Sequence, residues 1–261
     1  MKIREITDVI EQFAPLALQE SYDNSGLVVG RHDDELRGGV LIAVDVTHEV
    51  IEEAIALGCG LIITHHPIIF HPLKRLNSAS VVERCVEQAI KHDIALYACH
   101  TNLDAAPGGM SWRLGEILGV RDMQVLEPSA DGAGFGTIGT LAEPMPVQQF
   151  LGLLRERLGC GVVRHSELCS ERVSRVAICT GAGGSCIEAA RAAKCDIYVT
   201  ADVRYNDFFA PAGEFVIADV GHFESEFCAI QILFDILSKK LCIFAVRKSV
   251  CSRNPVNYMT R

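Results

Sequence analysis

Residues 59–64, Cys-Gly-Leu-Ile-Ile-Thr, form a short run without a charged side chain, stopped by His65-His66-Pro67. Such a run is too short for a typical helix and reads as a strand buried on both faces. Strands of that kind belong to parallel sheets, where helices cover both sides. Further apolar runs lie at 39–46, interrupted only by Asp45 near its end, and at 94–99. Between and around them lie segments of helical period at 3–14, 49–57, 80–92 and 111–118. In the first, Ile6, Val9, Ile10 and Phe13 share one face, and Pro15 disfavours continuation. Gly58 and Gly119 stand where helix C-termini want glycine. Strands spaced by helices predict parallel βαβ units.

A second α/β series follows, with strands at 137–141, 173–180, 196–200, 215–219 and 241–246 and helices at 146–158, 185–194 and 225–239. The stretch 127–136, Glu-Pro-Ser-Ala-Asp-Gly-Ala-Gly-Phe-Gly, has turn composition and is the expected boundary between two lobes. The predicted domains are therefore 1–126 and 127–261, with the C-terminal segment a candidate to return to the first lobe. The expected fold class is α/β, two lobes with mostly parallel sheets.

Composition narrows the function classes. At 261 residues and 49% hydrophobic, the chain can bury a large core. A formal charge of −9 argues against a duplex nucleic-acid partner, which needs a basic face. No apolar run approaches the roughly 18 residues of a membrane span. The start, Met1-Lys2-Ile3-Arg4-Glu5, lacks the apolar stretch of a signal peptide. Eleven cysteines occur with no C-x-x-C spacing, the pattern of reduced thiols in a cytoplasmic protein. Cys179 and Cys242 sit in apolar runs and read as small core residues.

Chemistry concentrates at predicted strand ends. His65 and His66 follow one strand, His100 and Asp104 another, and His222 and Glu226 a third. The i, i+4 spacing of His222 and Glu226 places them on one helical face. Carboxyl ends of parallel strands converge on one edge of a sheet, which is where α/β proteins carry their sites. These three groups together supply nitrogen and oxygen ligands for two metal ions; the alternative is a set of ordinary hydrogen-bonded polar residues. The turn Thr180-Gly181-Ala182-Gly183-Gly184-Ser185 is either a tight strand-to-helix connection or an anion contact. Asp202 and Arg204 either reach a cleft or form a surface ion pair, and Tyr22-Asp23-Asn24-Ser25-Gly26 reads as a polar turn.

Five segments in order resemble the Nif-three-like family, the GTP cyclohydrolase I type 2 homologues. They are Tyr22-Asp23-Asn24-Ser25-Gly26-Leu27, Ile62-Ile63-Thr64-His65-His66-Pro67, His100-Thr101-Asn102-Leu103-Asp104, the Thr180–Ser185 turn and Gly221-His222-Phe223-Glu224-Ser225-Glu226. The chain departs from the family pattern at Ala201 and Asn206, where glycine and histidine are common. The resemblance implies a dinuclear metal site in a cleft between the lobes, with His65, His66, Asp104, His222 and Glu226 as ligands. It implies two divalent ions, Zn, Mn, Fe or Co, with His100 outside the ligand set or facing substrate. It further implies a toroidal homohexamer. The function expected from it is a metal-dependent hydrolase acting on a nucleotide or phosphoester. The alternative is a non-enzymatic metal-binding or metal-delivery protein.

Overall fold

The computed structural model describes residues 1–129, 132–240 and 244–259. Its strands, in chain order, are β1 (Gly26–Val29), β2 (Gly39–Ala43), β3 (Cys59–Thr64), β4 (Ala95–Ala98), β5 (Val120–Pro128), β6 (Gly134–Pro146), β7 (Arg164–His165), β8 (Arg172–Ile178), β9 (Ile197–Thr200), β10 (Val216–Asp219) and β11 (Val246–Lys248). The helices are α1 (Ile3–Glu11), α2 (His48–Leu57), α3 (Val81–Lys91), α4 (Thr101–Ala105), α5 (Met110–Leu118), α6 (Val147–Leu158), α7 (Ile187–Ala192), α8 (His222–Glu226) and α9 (Cys228–Lys240). No helix among the described residues is long and apolar enough to cross a membrane.

The chain forms two compact units, one of Met1–Ala106 with Ala229–Arg253 and one of Pro107–Cys228 with the tail from Asn254. The division differs from the predicted 126/127 boundary. The turn-like stretch after residue 127 is the connection of a hairpin: Glu127 pairs with Phe135 and Pro128 with Gly134 across β5 and β6. Its glycines and proline turn the chain within a sheet; they do not separate domains. The loop reading at Ala130 and Asp131 lies outside the described residues, as does the part of the final predicted strand at 241–243.

The first unit carries a five-stranded sheet in the order β1-β4-β3-β2-β11. β11, β2, β3 and β4 are parallel, and β1 closes the edge antiparallel. β2, β3 and β4 are buried at every residue, as their continuous apolar runs require. Leu41, Ile62 and Leu96 meet Val50, Ile51 and Ala54 of α2 and Cys85 and Ala89 of α3 in one core. α2 stops because Gly58 takes a left-handed conformation, φ 67°. The register matters for function. Ala43 lies opposite Thr64, and Thr64 opposite Ala98, so three chains leave the sheet at one level.

The second unit carries a six-stranded sheet, β5-β6-β8-β9-β10-β7. It is mixed: β8, β9 and β10 are parallel, while β5, β6 and β7 pair antiparallel. The expectation of mostly parallel sheets holds for the first unit and gives way here, because long β5 and β6 form a hairpin without a helical crossover. Successive residues of the central strands pack alternately into two cores. Val176, Ile178, Ile197, Val199, Val216 and Ala218 pack on the side of α5 and α6, with Leu114, Phe150 and Leu154. Ala177, Tyr198 and Ile217 pack on the other, with Ile187 and Ala190 of α7. Here too the strand ends align, Ile178 with Val199 and Thr200 with Asp219.

Most of the described cysteines serve these cores. Cys59, Cys85, Cys99, Cys160, Cys186 and Cys195 are buried. Burial pushes the thiols of Cys160 and Cys195 up to about 12, so both stay protonated at neutral pH. Cys242 lies outside the described residues.

Candidate metal-binding residues

In the first unit the site grows from the aligned ends of β2, β3 and β4. Beyond β3 the chain turns: Thr64 Oγ1 donates to the His66 carbonyl at 2.8 Å, and His66 N donates to Val44 O at 3.1 Å. This turn lets two neighbouring imidazoles, ring centroids 5.0 Å apart, share one side of the sheet edge. His100, just past β4, brings a third ring to within 5.2 Å of His65 and 5.4 Å of His66. His65, His66 and His100 each offer a ring nitrogen, and these atoms lie within 4.8 Å of one another. Asp104, on the short α4 that His100 begins, sets Oδ1 3.8 Å from His65 Nε2.

Each of these rings is held by its Nδ1. His65 Nδ1 meets the Cys99 carbonyl at 2.8 Å, and His65 is fully buried. His66 Nδ1 meets Asp45 Oδ1 at 2.7 Å, and His100 Nδ1 meets Asp23 Oδ1 at 2.7 Å. A carbonyl oxygen can only accept, so His65 carries a proton on Nδ1, which in the neutral ring leaves Nε2 as the atom with the free lone pair. The carboxylates impose the same arrangement on the other two rings.

Asp23 does more than hold His100. Its oxygens also accept from Asn24 N at 2.7 Å, Ser25 Oγ at 2.9 Å and Thr101 N at 3.1 Å. Burial opposes its charge, but the bonds from His100 and Thr101 outweigh it and hold the carboxyl well below the usual carboxylate range. The segment read as a polar turn is therefore the clamp of the third imidazole.

The second unit repeats the logic at the ends of β8, β9 and β10. His222 opens α8 just past β10, and its Nε2 lies 3.0 Å from Oε2 of Glu226, one helical turn on. Its Nδ1 meets Asp202 Oδ2 at 2.8 Å, from the loop after β9. Of the two readings offered for Asp202 and Arg204, the first partner of Asp202 is thus an imidazole. Glu226 is buried, and Gly181, after β8, is the residue against which its carboxylate rests. Gly181 N donates to Ser225 Oγ at 2.9 Å, and Gly183 N to Thr200 Oγ1 at 3.1 Å. Two amides of the glycine-rich turn are committed inside the protein, which fits the strand-to-helix connection.

The predicted ligands thus lie just past a strand, His65 and His66, or on the short helix that follows one, Asp104 in the first unit and His222 and Glu226 in the second. Sequence reasoning did not single out Asp45, nor assign Asp23 and Asp202 their partners. An acid just after a buried strand was the available signal, since Asp45 and Asp202 follow β2 and β9 closely. The donor chemistry fits a divalent metal. Metal-binding histidines characteristically donate their second ring nitrogen to a carboxylate or backbone carbonyl, and all four histidines here are held that way.

The chain is thus an α/β protein of two units, each with histidines and acids near the carboxyl ends of parallel strands that could bind a metal ion. The chain belongs to the DUF34/NIF3 (NGG1p interacting factor 3) family, whose pattern it matches across residues 1–255. It is 35% identical over 230 residues to the GTP cyclohydrolase 1 type 2 homologue of Clostridium perfringens, covering 87% of each chain. It is 30% identical over 264 residues to the homologue of the same name from Campylobacter jejuni, covering 99% of this chain and 100% of that one. Among solved structures, a Bacillus cereus protein related to NIF3 superposes with a TM-score of 0.90 at 25% identity, over 99% of both chains. Reduced HcgD from Methanocaldococcus jannaschii superposes with a TM-score of 0.79 at 27% identity, over 95% of this chain and 97% of that one.

Proposed function

We propose that His65, His66, Asp104, His222 and Glu226 together hold two divalent metal ions, and that the protein is a metal-dependent hydrolase of a nucleotide or phosphoester. One observation carries this reading. All four histidines at the strand ends are fixed through Nδ1, three of them by carboxylates, so each presents Nε2 as the donor atom. Mixed imidazole and carboxylate donors suit Zn, Mn, Fe or Co. A divalent ion held there supplies Lewis acidity and lowers the pKa of water toward neutrality. Asp104 and Glu226 offer two oxygens each, the requirement for a group shared between ions. His100, anchored on Asp23 through Nδ1, is in place to orient substrate. The name borne by the relatives points to a nucleotide as the substrate. The same resemblance leads us to propose a ring-shaped homohexamer working in the cytoplasm, where eleven cysteines remain reduced.

The test holds pH fixed, because low pH would protonate the ligands and release metal by itself. The protein is stripped with chelator, checked by circular dichroism, and reloaded separately with Zn, Mn, Fe or Co. Turnover of GTP, another nucleotide or a simple phosphoester should return with at least one ion and fall sharply in Asp104→Asn. Bound metal without turnover under every ion would defeat the hydrolase reading in favour of a metal-delivery role. Light scattering at a mass other than six chains would remove the hexamer.

A further inference from the structure

Tyr22 stands out among the large side chains of the first unit. It is 64% exposed, yet the backbone beneath it is tightly fixed. Ser25 N donates to Gln19 Oε1 at 3.0 Å, Glu20 N donates to Thr101 Oγ1 at 3.0 Å, and Asp23 binds the turn from within. Asn24 Nδ2 also donates to Ile69 O at 2.6 Å, tying this turn to the segment that follows Pro67. That segment carries Phe70, itself 36% exposed, with its ring centroid 6.4 Å from that of Tyr22. Phe70 also meets the His100 ring edge-on at 6.1 Å. Aromatic surface therefore runs without a break from solvent, through Tyr22 and Phe70, to the three-histidine cluster.

An exposed aromatic ring on an immobilised turn gains little for folding, and beside the histidine cluster it offers a face to a ligand ring. We propose that Tyr22 and Phe70 form a platform on which a planar heteroaromatic ring of nucleobase type stacks while its N–H edge faces the Nε2 atoms of the histidine cluster. The inference deepens the proposed function by naming the part of the substrate that the first unit grips. Stacking suits the geometry, since every heteroaromatic ring has a π-face and aromatic side chains bind such faces with little regard to substituents. Tyr22 and Phe70, tilted by 56° with centroids 6.4 Å apart, leave no room for a ring sandwiched between them, so the ligand ring stacks on an outer face. The phenol also keeps its proton. Partial burial, with the carboxylates of Glu20, Asp23 and Asp104 nearby, raises its pKa and leaves a neutral hydrogen-bond donor at the edge of the platform. Those carboxylates disfavour an anionic group at that end, so the uncharged ring of a nucleotide belongs there and its phosphates elsewhere.

The experiment measures binding of guanosine, uridine and nicotinamide to the full chain, as purified, by isothermal titration calorimetry. Ribose 5-phosphate serves as the ligand without an aromatic ring. Metal content is read by elemental analysis on the same samples. At least one ring compound should bind where ribose 5-phosphate does not. Tyr22→Ala should weaken that binding at least about fivefold, Phe70→Leu should weaken it too, and Tyr22→Phe should keep most of it. Loss of ring binding in Tyr22→Ala with metal content unchanged supports the inference. The same loss in a protein that carries no metal supports it as well, while defeating the metal reading. Wild-type affinity in Tyr22→Ala, or no ring binding by the metal-loaded protein, overturns it and leaves the metal reading in place.

Discussion

Gly181 is the point at which a small change outside the ligand set should reach the metal. Its φ is 64°, in the left-handed region, and a Cβ there would lie 2.2 Å from Glu226 Oε1 and 3.2 Å from its Cδ. An alanine in this conformation costs about 1–2 kcal/mol on backbone grounds alone. The clash is worse, since 2.2 Å falls more than about 1 Å short of van der Waals contact. Glu226 is only 3% exposed and sits on a helix whose Ser225 binds Gly181 N, so the carboxylate has little room to retreat. Metal–ligand distances tolerate about 0.2 Å. Gly181→Ala should therefore displace Glu226 from any ion that it shares with His222. The expected result is a loss of metal affinity of about 10- to 100-fold, comparable to losing a partner that orients a ligand, with a protein that still folds. Competition against a chromophoric chelator reads the affinity, and circular dichroism with a thermal melt reads the fold. A folded Gly181→Ala protein that binds metal as the wild type does would refute the placement of Glu226 as a ligand.

Other outcomes follow from the same contacts. Asp202→Ala releases His222 Nδ1 and should lower metal affinity about tenfold or more, measured in the same competition assay. Gly152→Ala, in the middle of α6 with nothing near its added Cβ, should raise stability by about 0.5–1 kcal/mol in denaturant titration and leave metal binding alone. Glu53 gives a pH signature. Burial works against its charge, but bonds from Ser249 Oγ, Val250 N and Cys251 N hold its pKa below the ordinary value. The carboxylate thus adds stability above the unfolded value of about 4.3, and that contribution is lost as pH falls through the lowered folded value. Glu53→Gln should be less stable than wild type at neutral pH, with the gap closing in acid.

Much of this was legible in the chain because buried parallel strands leave a plain mark. The apolar run of β3 and the glycines that stop α2 and α5 stand in the sequence as they stand in the fold. The residues proposed as ligands could be singled out for a related reason: polar residues soon after a fully buried run mark the end of a strand. The edges were not. β1 is four residues of a polar-flanked segment paired only at one side, and β5 shows neither helical nor alternating burial. A long hairpin whose connection is rich in glycine therefore resembled a domain linker. The roles of Asp23, Asp45 and Asp202 were hidden because an imidazole and its carboxylate lie 77, 21 and 20 residues apart. Only the alignment of strand ends brings each pair together.

The central claim is that these imidazoles are anchored to bind metal, and elemental analysis of the purified protein tests it most directly. Protein grown in metal-replete medium should carry more than one equivalent of a divalent transition metal per chain. His65→Ala and Glu226→Ala should each lose metal while keeping the wild-type circular dichroism spectrum. A wild-type protein without transition metal after reloading, or full occupancy in both variants, would contradict the account.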